Sequence, residues 1–266
     1  MLIIGESLNG SIPAVGKAII NHDEQWIREL AKKQVDCGAQ MLDVNAGGIS
    51  GRDECADLVW LVEVVQDSVS VPLVLDSTNP EALRAAISVY RGPKPILSSL
   101  TAEEERFNAL LPLVLDHDCG LIALCIDESG IPLEPKRRLE IAETLVERVT
   151  AAGIKPEDLY LDPLVLTLGV NYHAGAITLN TLHLIREHFP QVNTVCGVSN
   201  VSFEMPKRRL LNRYFAAMLM AFGLEAFMVD VCDREMMVAL TAAAALTGRD
   251  EWCRNFFKSS RAGKLD

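Results

Sequence analysis

Eight times along this chain a short apolar run ends in an acid, an amide or a hydroxyl, and any chemistry must rest on those side chains. They are Glu6 and Asn9, Asp43 and Asn45, Asp76, Ser98 and Ser99, Asp127, Asp162, Ser199 and Asn200, and Asp230. The set points to a site rich in carboxylates and amides and poor in cations. Asp76, in Val-Leu-Asp-Ser-Thr-Asn, and Asp162, in Tyr-Leu-Asp-Pro-Leu, each close a run. Carboxylates in such places need donors, and a ligand with neutral N–H groups supplies them. The 2-amino-4-oxo pyrimidine edge of a pterin pairs two to two with a carboxylate, and a ligand without that edge would leave the acid unpaired. Any one of these acids is equally well read as a helix cap; the whole set together is not.

Asn200, in Gly-Val-Ser-Asn-Val-Ser, can donate or accept, so its amide can follow a ligand nitrogen that changes protonation state. A turn asparagine is the plainer reading. Asp43 and Asn45 lie two apart in Leu-Asp-Val-Asn-Ala-Gly-Gly, on one side of an extended chain, and the glycines after them permit close backbone approach. The five histidines show no ligand spacing; His183 and His188 are five apart on one helix. His173 follows the sixth run and either faces the site or is a surface residue.

The elements that must position these groups read clearly. The apolar runs cover 2–4, 41–44, 73–75, 95–97, 121–126, 159–161, 194–198 and 226–229. Between them lie helical patterns over 24–37, 53–66, 101–116, 134–152, 174–188, 206–222 and 233–246, and one more opened by Asn79-Pro80. In the first of these, Trp26, Ile27, Leu30, Ala31 and Val35 keep the three-to-four spacing. Thr101-Ala-Glu-Glu has the form of a capping box. Strands alternating with helices make a parallel sheet, because parallel neighbours need a crossover. Eight repeats favour closure into a (β/α)8 TIM barrel over a doubly wound open sheet. In a barrel all eight polar ends converge on one face, where a polar residue reads as ligand-binding or catalytic. No Gly-x-Gly-x-x-Gly follows the first run, which removes the usual dinucleotide reading.

The 266 residues suit one such barrel, with 249–266 as a basic, partly apolar C-terminal extension that closes the barrel bottom or serves an oligomer contact. The net charge of −11 argues against nucleic acid and against an anionic membrane surface. No apolar stretch is long enough for a membrane span, and the N-terminus lacks a basic leader. Seven cysteines, an odd number without Cys-x-x-Cys, read as buried thiols in a reducing cytoplasm.

At these residues the chain resembles the methyltetrahydrofolate:corrinoid methyltransferases. The stretches that carry the resemblance are MLIIGESLNG, GAQMLDVNAGG, LVLDSTNPEAL, EDLYLDPL and GVSNVSFEMPKRRLLNRYFAAMLMAFGLEAFMVD, spanning residues 1 to about 240. The resemblance implies a homodimeric TIM barrel with no metal of its own, taking tetrahydrofolate or 5-methyltetrahydrofolate as substrate. It implies that Asp76 and Asp162 hold the pterin, that Asn200 bonds at N5, and that Gly197 and Ser199 line the same wall. Asp43 and Asn45 would form the floor, with Glu6 and Asn9 flanking the entrance. Asn200 and Asp76 would carry the catalysis, stabilising protonated N5. Two positions depart from the family pattern. Ser98 stands where Asn is common, with fewer donors to offer. Phe203 replaces a polar residue, and either packs on the aminobenzoate ring or is an apolar loop residue. No Asp-x-His-x-x-Gly corrinoid signature is present, so a partner protein would bring the corrinoid. The direction of transfer stays open, with Ser98 leaning it toward methylcorrinoid as donor. Two rivals remain: a dihydropteroate synthase-like enzyme, short of the late basic residues it needs, and a folate-binding module without turnover.

Overall fold

The computed structural model describes residues 1–265 and contains a closed barrel of eight parallel strands in sequence order. The strands are β1 (Leu2–Asn9), β2 (Met41–Asn45), β3 (Leu73–Asp76), β4 (Ile96–Leu100), β5 (Gly120–Leu124), β6 (Leu159–Asp162), β7 (Asn193–Gly197) and β8 (Ala226–Val229). The barrel closes where β1 pairs with β8, from Leu2 opposite Ala226 to Gly5 opposite Val229. The helices are α1 (Pro13–Ile20), α2 (Glu24–Asp36), α3 (Glu54–Gln66), α4 (Pro80–Val89), α5 (Glu104–Asp116), α6 (Pro135–Ala151), α7 (Ala174–His188), α8 (Arg208–Ala221), α9 (Arg234–Leu246) and α10 (Arg254–Arg261).

Two apolar layers hold this together. One lies between the strands and the helices and contains Leu42, Leu58, Leu75, Leu97, Leu121, Leu161 and Phe227. The other fills the barrel interior with Ile4, Met41, Val74, Ile96, Ile122, Val195 and Ala226. Strand side chains alternate between faces with period two. Two residues past each interior residue therefore comes the next inward position: Glu6, Asp43, Asp76, Ser98, Leu124, Gly197 and Met228, and two beyond Tyr160 comes Asp162. The apolar plug is the floor, and the polar ends are the layer resting on it.

Several expectations change. β1 is eight residues long, not three, because Leu8 and Asn9 stay paired with Val44 and Asn45 after a register shift past Gly5. Gln34 Oε1 accepts the Ser7 N–H within that irregular stretch (3.0 Å). Helix α1 has no separate signal in the sequence pattern. The capping box at Thr101 does not form: α5 starts at Glu104, Thr101 Oγ1 donates to Glu103 Oε2 (2.8 Å), and Glu128 accepts the Glu104 N–H (2.9 Å). The C-terminal extension starts at the bottom of the barrel, where Arg249 donates to Leu224 O just before β8, and then runs back along α9. Asp250 caps α10, which leans on α9, and Arg234 at the head of α9 donates to Gly263 O (2.8 Å). The tail thus doubles back toward the mouth, and Asp266 lies outside the described residues. All seven cysteines are unpaired; Cys119, Cys125 and Cys196 are buried and the other four half-buried. No helix among the described residues is long and apolar enough to cross a membrane.

Candidate functional site

The mouth of the barrel brings together Glu6 of β1, Asp43 and Asn45 of β2, Asp76 of β3, Ser98 of β4 and Asp162 of β6. Ser199 and Asn200 join them from a 3-10 turn (Val198–Ser202) just past β7, rather than from the strand itself.

Asp76 and Asn45 are bound to each other. Asn45 Nδ2 donates to Asp76 Oδ2 (2.7 Å), and Asn45 Oδ1 accepts the Gly47 N–H (2.7 Å), which fixes the amide's orientation. Burial raises the Asp76 carboxyl above the ordinary carboxylate range, while Asn45, the Ser98 hydroxyl and the nearby Arg106 pull it back. Asp43, beneath it, is pushed well above that range by burial and then by the charges of Asp76 and Glu6. Its Oδ1 is buried and lacks any hydrogen-bond partner among the described residues. Such a group is costly to leave unmade, and it marks where a ligand donor or a water belongs. Two neighbouring acids thus have different surroundings: Asp43 is raised by burial and by its acidic neighbours, whereas Asn45, Ser98 and Arg106 hold Asp76 down.

Across the mouth, Asp162 Oδ1 accepts the Leu164 N–H (2.7 Å), and its other oxygen is free for a ligand. Burial pushes this carboxyl up to about 7 against that N–H and Arg138. A carboxyl raised on folding stabilises the folded chain at low pH, and the contribution is lost as pH rises through 7. Asn200 is exposed and folds over Gly197, where a Cβ would stand 3.1 Å from Asn200 Nδ2; glycine there leaves the amide its place.

Asn9, Glu6, Phe203, His173 and Asp127 take the following places. Asn9 is occupied locally, its Oδ1 accepting from Ser11 N (3.0 Å) and Ser11 Oγ (2.6 Å). Glu6 does not flank the entrance but reaches across to the turn after β7, accepting from Ser199 Oγ (2.5 Å). Phe203 is 56% exposed, with the Arg208 guanidinium 5.8 Å from its ring centre. His173 is an exposed residue before α7, stacked on Tyr172 at 3.9 Å between centroids. Asp127 also belongs to a turn, bound by Ser129 and Arg137.

Nor is the site poor in cations. Arg106 donates to the carbonyls of Ser99 (2.8 Å), Ser77 (2.7 Å) and Thr78. Arg138 is 1% exposed and donates to the carbonyls of Pro132 (2.8 Å), Pro163 (2.7 Å) and Leu164 (2.7 Å), so it builds the wall behind Asp162. Arg208 and Asn212 bind the turn that carries Ser199 and Asn200. Sequence periodicity holds the signal for two of these. Arg138 lies in the stripe Arg138, Ala142, Leu145, Val149, and Asn212 in the stripe Asn212, Phe215, Leu219; a polar residue in an apolar stripe is a buried one. Among the described residues no group of three His, Cys, Asp or Glu is placed to hold a metal ion.

Residues 14–230 match the profile of a family described as pterin binding enzymes. A methylcorrinoid:tetrahydrofolate methyltransferase of Eubacterium limosum is 36% identical over 267 residues, covering 100% of this chain and 98% of that protein. A methionine synthase of Mycobacterium tuberculosis is 30% identical over 243 residues, 86% of this chain but 20% of that longer protein. Among solved structures, the dihydropteroate synthase of Xanthomonas albilineans in complex with 7,8-dihydropteroate superposes with a TM-score of 0.64 at 20% identity, covering 92% of each chain. The dihydropteroate synthase of Thermus thermophilus gives 0.65 at 18% identity, covering 89% of this chain and 92% of that one. At such identities the likeness is one of fold.

Proposed function

This chain belongs to the pterin-binding enzyme family, and from that membership we propose that it is a methyltransferase moving a methyl group between N5 of tetrahydrofolate and the cobalt of a corrinoid carried by a separate protein. The observation that carries the reaction is the match along the whole chain to a methylcorrinoid:tetrahydrofolate methyltransferase. The site supports it with the donorless buried oxygen of Asp43, the second carboxylate oxygen left open on Asp162, and an amide at the rim.

We read the whole chain as one pterin-binding unit. Asp76 and Asp162 grip the pterin ring through its N–H groups, Asp43 and Asn45 form the floor, and Ser98, Gly197 and Ser199 line the walls. Asn200 bonds at N5 and Phe203 lies beside the aminobenzoate. The transfer is an in-line displacement in which the methyl exchanges one bond, to nitrogen, for another, to cobalt. An amine leaves poorly unless it gains positive character, so stabilising charge at N5 is the main demand on the protein. Asn200 and the field of Asp76 meet it by preorganisation, and gripping the ring supplies orientation. The corrinoid is a substrate brought to the open mouth by its own protein. The test is direct: Co(I) cobalamin with 5-methyltetrahydrofolate, and methylcobalamin with tetrahydrofolate, followed by corrinoid absorbance. Transfer in either direction is the expected result. Folate binding without transfer in both would leave only a binding module.

Folate binding should also move a proton. The pterin edge pairs with the Asp162 carboxylate, whose free value lies at about 7. Below pH 7 the acid must therefore give up its proton as the ligand binds, and affinity should fall about tenfold per pH unit. Calorimetry in buffers of different ionisation enthalpy measures that proton directly, and no proton release at pH 6 would remove Asp162 from the pterin contact.

The homodimer belongs to the same reading. On α8, Leu210, Tyr214 and Met218 stand one turn apart with exposures of 50, 69 and 49%, continued by Phe222. This apolar stripe on a solvent-facing helix suits a second copy. Tyr214→Glu should shift the species in analytical ultracentrifugation from dimer to monomer. With seven unpaired cysteines the chain suits a reducing cytoplasm.

A further inference from the structure

The side chains behind Ser199 form a hydrogen-bond chain with a single sense. Arg208 can only donate; its Nε donates to Ser202 Oγ (3.2 Å) and its Nη2 to Ser199 O (3.0 Å). Ser202 Oγ, having accepted, turns its own hydrogen to Asn212 Oδ1 (2.6 Å). That bond fixes the Asn212 amide, so Nδ2 donates to Ser199 Oγ (3.3 Å). Ser199 then has one hydrogen left, and it goes to Glu6 Oε1 (2.5 Å). Ser202 and Asn212 are buried, and Glu6 is inward-facing on β1. A permanently charged donor stands at one end and a carboxyl at the other, and the last link touches the turn that carries Asn200.

The groups facing Glu6 come from three other elements. Asp230 follows β8, Asp43 lies on β2 and Arg208 on α8. Burial above all, and then the charge of Asp230, push the Glu6 carboxyl up to about 7, against the pull of Ser199, Arg208 and the Asp230 backbone N–H. Near neutral pH this group therefore exchanges a proton easily. The family match begins at residue 14, so it says nothing of Glu6.

We propose that Glu6 handles the proton of the methyl transfer: acting through the Ser199 hydroxyl, its carboxylate takes up the proton that N5 releases on methylation and returns it in the reverse reaction. This rests on the reaction proposed above. In the methylating direction, the N5 lone pair takes the methyl from cobalt, and the electrons of the cobalt–carbon bond stay on cobalt. N5 is then cationic, bearing both the methyl and its original hydrogen. That hydrogen passes as a proton to Ser199 Oγ while the Ser199 hydrogen passes to Glu6, leaving neutral 5-methyltetrahydrofolate and a neutral Glu6 carboxyl. The proton leaves to solvent through the mouth. In the opposite direction the same steps protonate N5 and make it a competent leaving group.

The experiment is the pH profile of kcat at saturating folate and cobalamin, in both directions, for the wild type, Glu6→Gln, Ser199→Ala and the double variant, with folate Kd measured in parallel. Saturation removes the Asp162 binding step, since kcat reports the bound complex. The wild type should show a limb near pH 7 that rises in the methylating direction and falls in the demethylating one. Glu6→Gln should abolish both limbs and lower kcat for methylation by roughly ten- to a hundredfold at pH 8, with folate Kd within about threefold. Ser199→Ala should do the same with Glu6 left in place, and the double variant should fall no further. Limbs that survive in Glu6→Gln, or single losses that multiply in the double variant, would overturn the proposal. A wild type that binds folate but transfers no methyl would overturn the reaction itself, and this role with it.

Discussion

Asn200→Ala should slow methyl transfer by ten- to a thousandfold, about 1.4–4 kcal/mol on the barrier, while folate still binds. The argument starts from what the amide can do. N5 passes between a neutral amine and a cationic centre during the reaction, and a side chain that can donate or accept stays bonded to it throughout. Asn200 is free for this work: it is exposed at the rim and lies over Gly197, with no side chain among the described residues bonded to its amide. The pterin ring, by contrast, is gripped at Asp76 and Asp162, so binding should survive the change. A loss in kcat with little change in Kd is the signature of an interaction made chiefly in the transition state. Stopped-flow corrinoid absorbance measures the first quantity and calorimetry the second. An unchanged rate would remove Asn200 from its role.

The largest effect on stability should come from Arg138→Met, at about 3–5 kcal/mol. The side chain is 1% exposed and satisfies three carbonyls, those of Pro132, Pro163 and Leu164. Methionine would fill much of the volume and leave all three acceptors without this donor, although Leu164 O keeps Thr178 Oγ1 at 2.7 Å. Arg138→Lys should rescue little, because one ammonium cannot reproduce the guanidinium fork. The change also reaches the site. Arg138 pulls the Asp162 carboxyl down, so without it that group should hold its proton to higher pH and bind folate more weakly at neutrality. Urea unfolding gives the stability, and a pH series of folate affinity gives the second effect. A variant as stable as wild type would show that those carbonyls find water or other donors.

The parts of this molecule legible in its sequence are those governed by repetition. Eight apolar runs with polar ends point to the barrel, and period two past residues such as Val74 and Tyr160 puts Asp76 and Asp162 in the mouth. What escapes depends on which neighbour arrives across the barrel. The resemblance puts Glu6 and Asn9 at the entrance, and the apolar run of β1 covers only three residues; only pairing with β2 carries the strand to Asn9. Asp127 and Asp162 look alike as strand-ending acids. One is taken by Arg137 and Ser129, whereas the other faces the mouth. The arginines escape because charge suggests surface, yet Arg138 and Arg106 serve backbone carbonyls in the loops that shape the site. Asn212 lies in an apolar stripe and is visible in principle.

The central claim is that acids and amides at the barrel mouth hold a folate head group by its ring nitrogens. A crystal structure of the chain with 5-methyltetrahydrofolate tests it most directly. The account predicts the pterin lying on the floor at Asp43, with Asp76 and Asp162 at hydrogen-bond distance from its N–H groups and Asn200 at N5. An empty mouth at saturating ligand, or a folate bound away from Asp76 and Asn200, would contradict it.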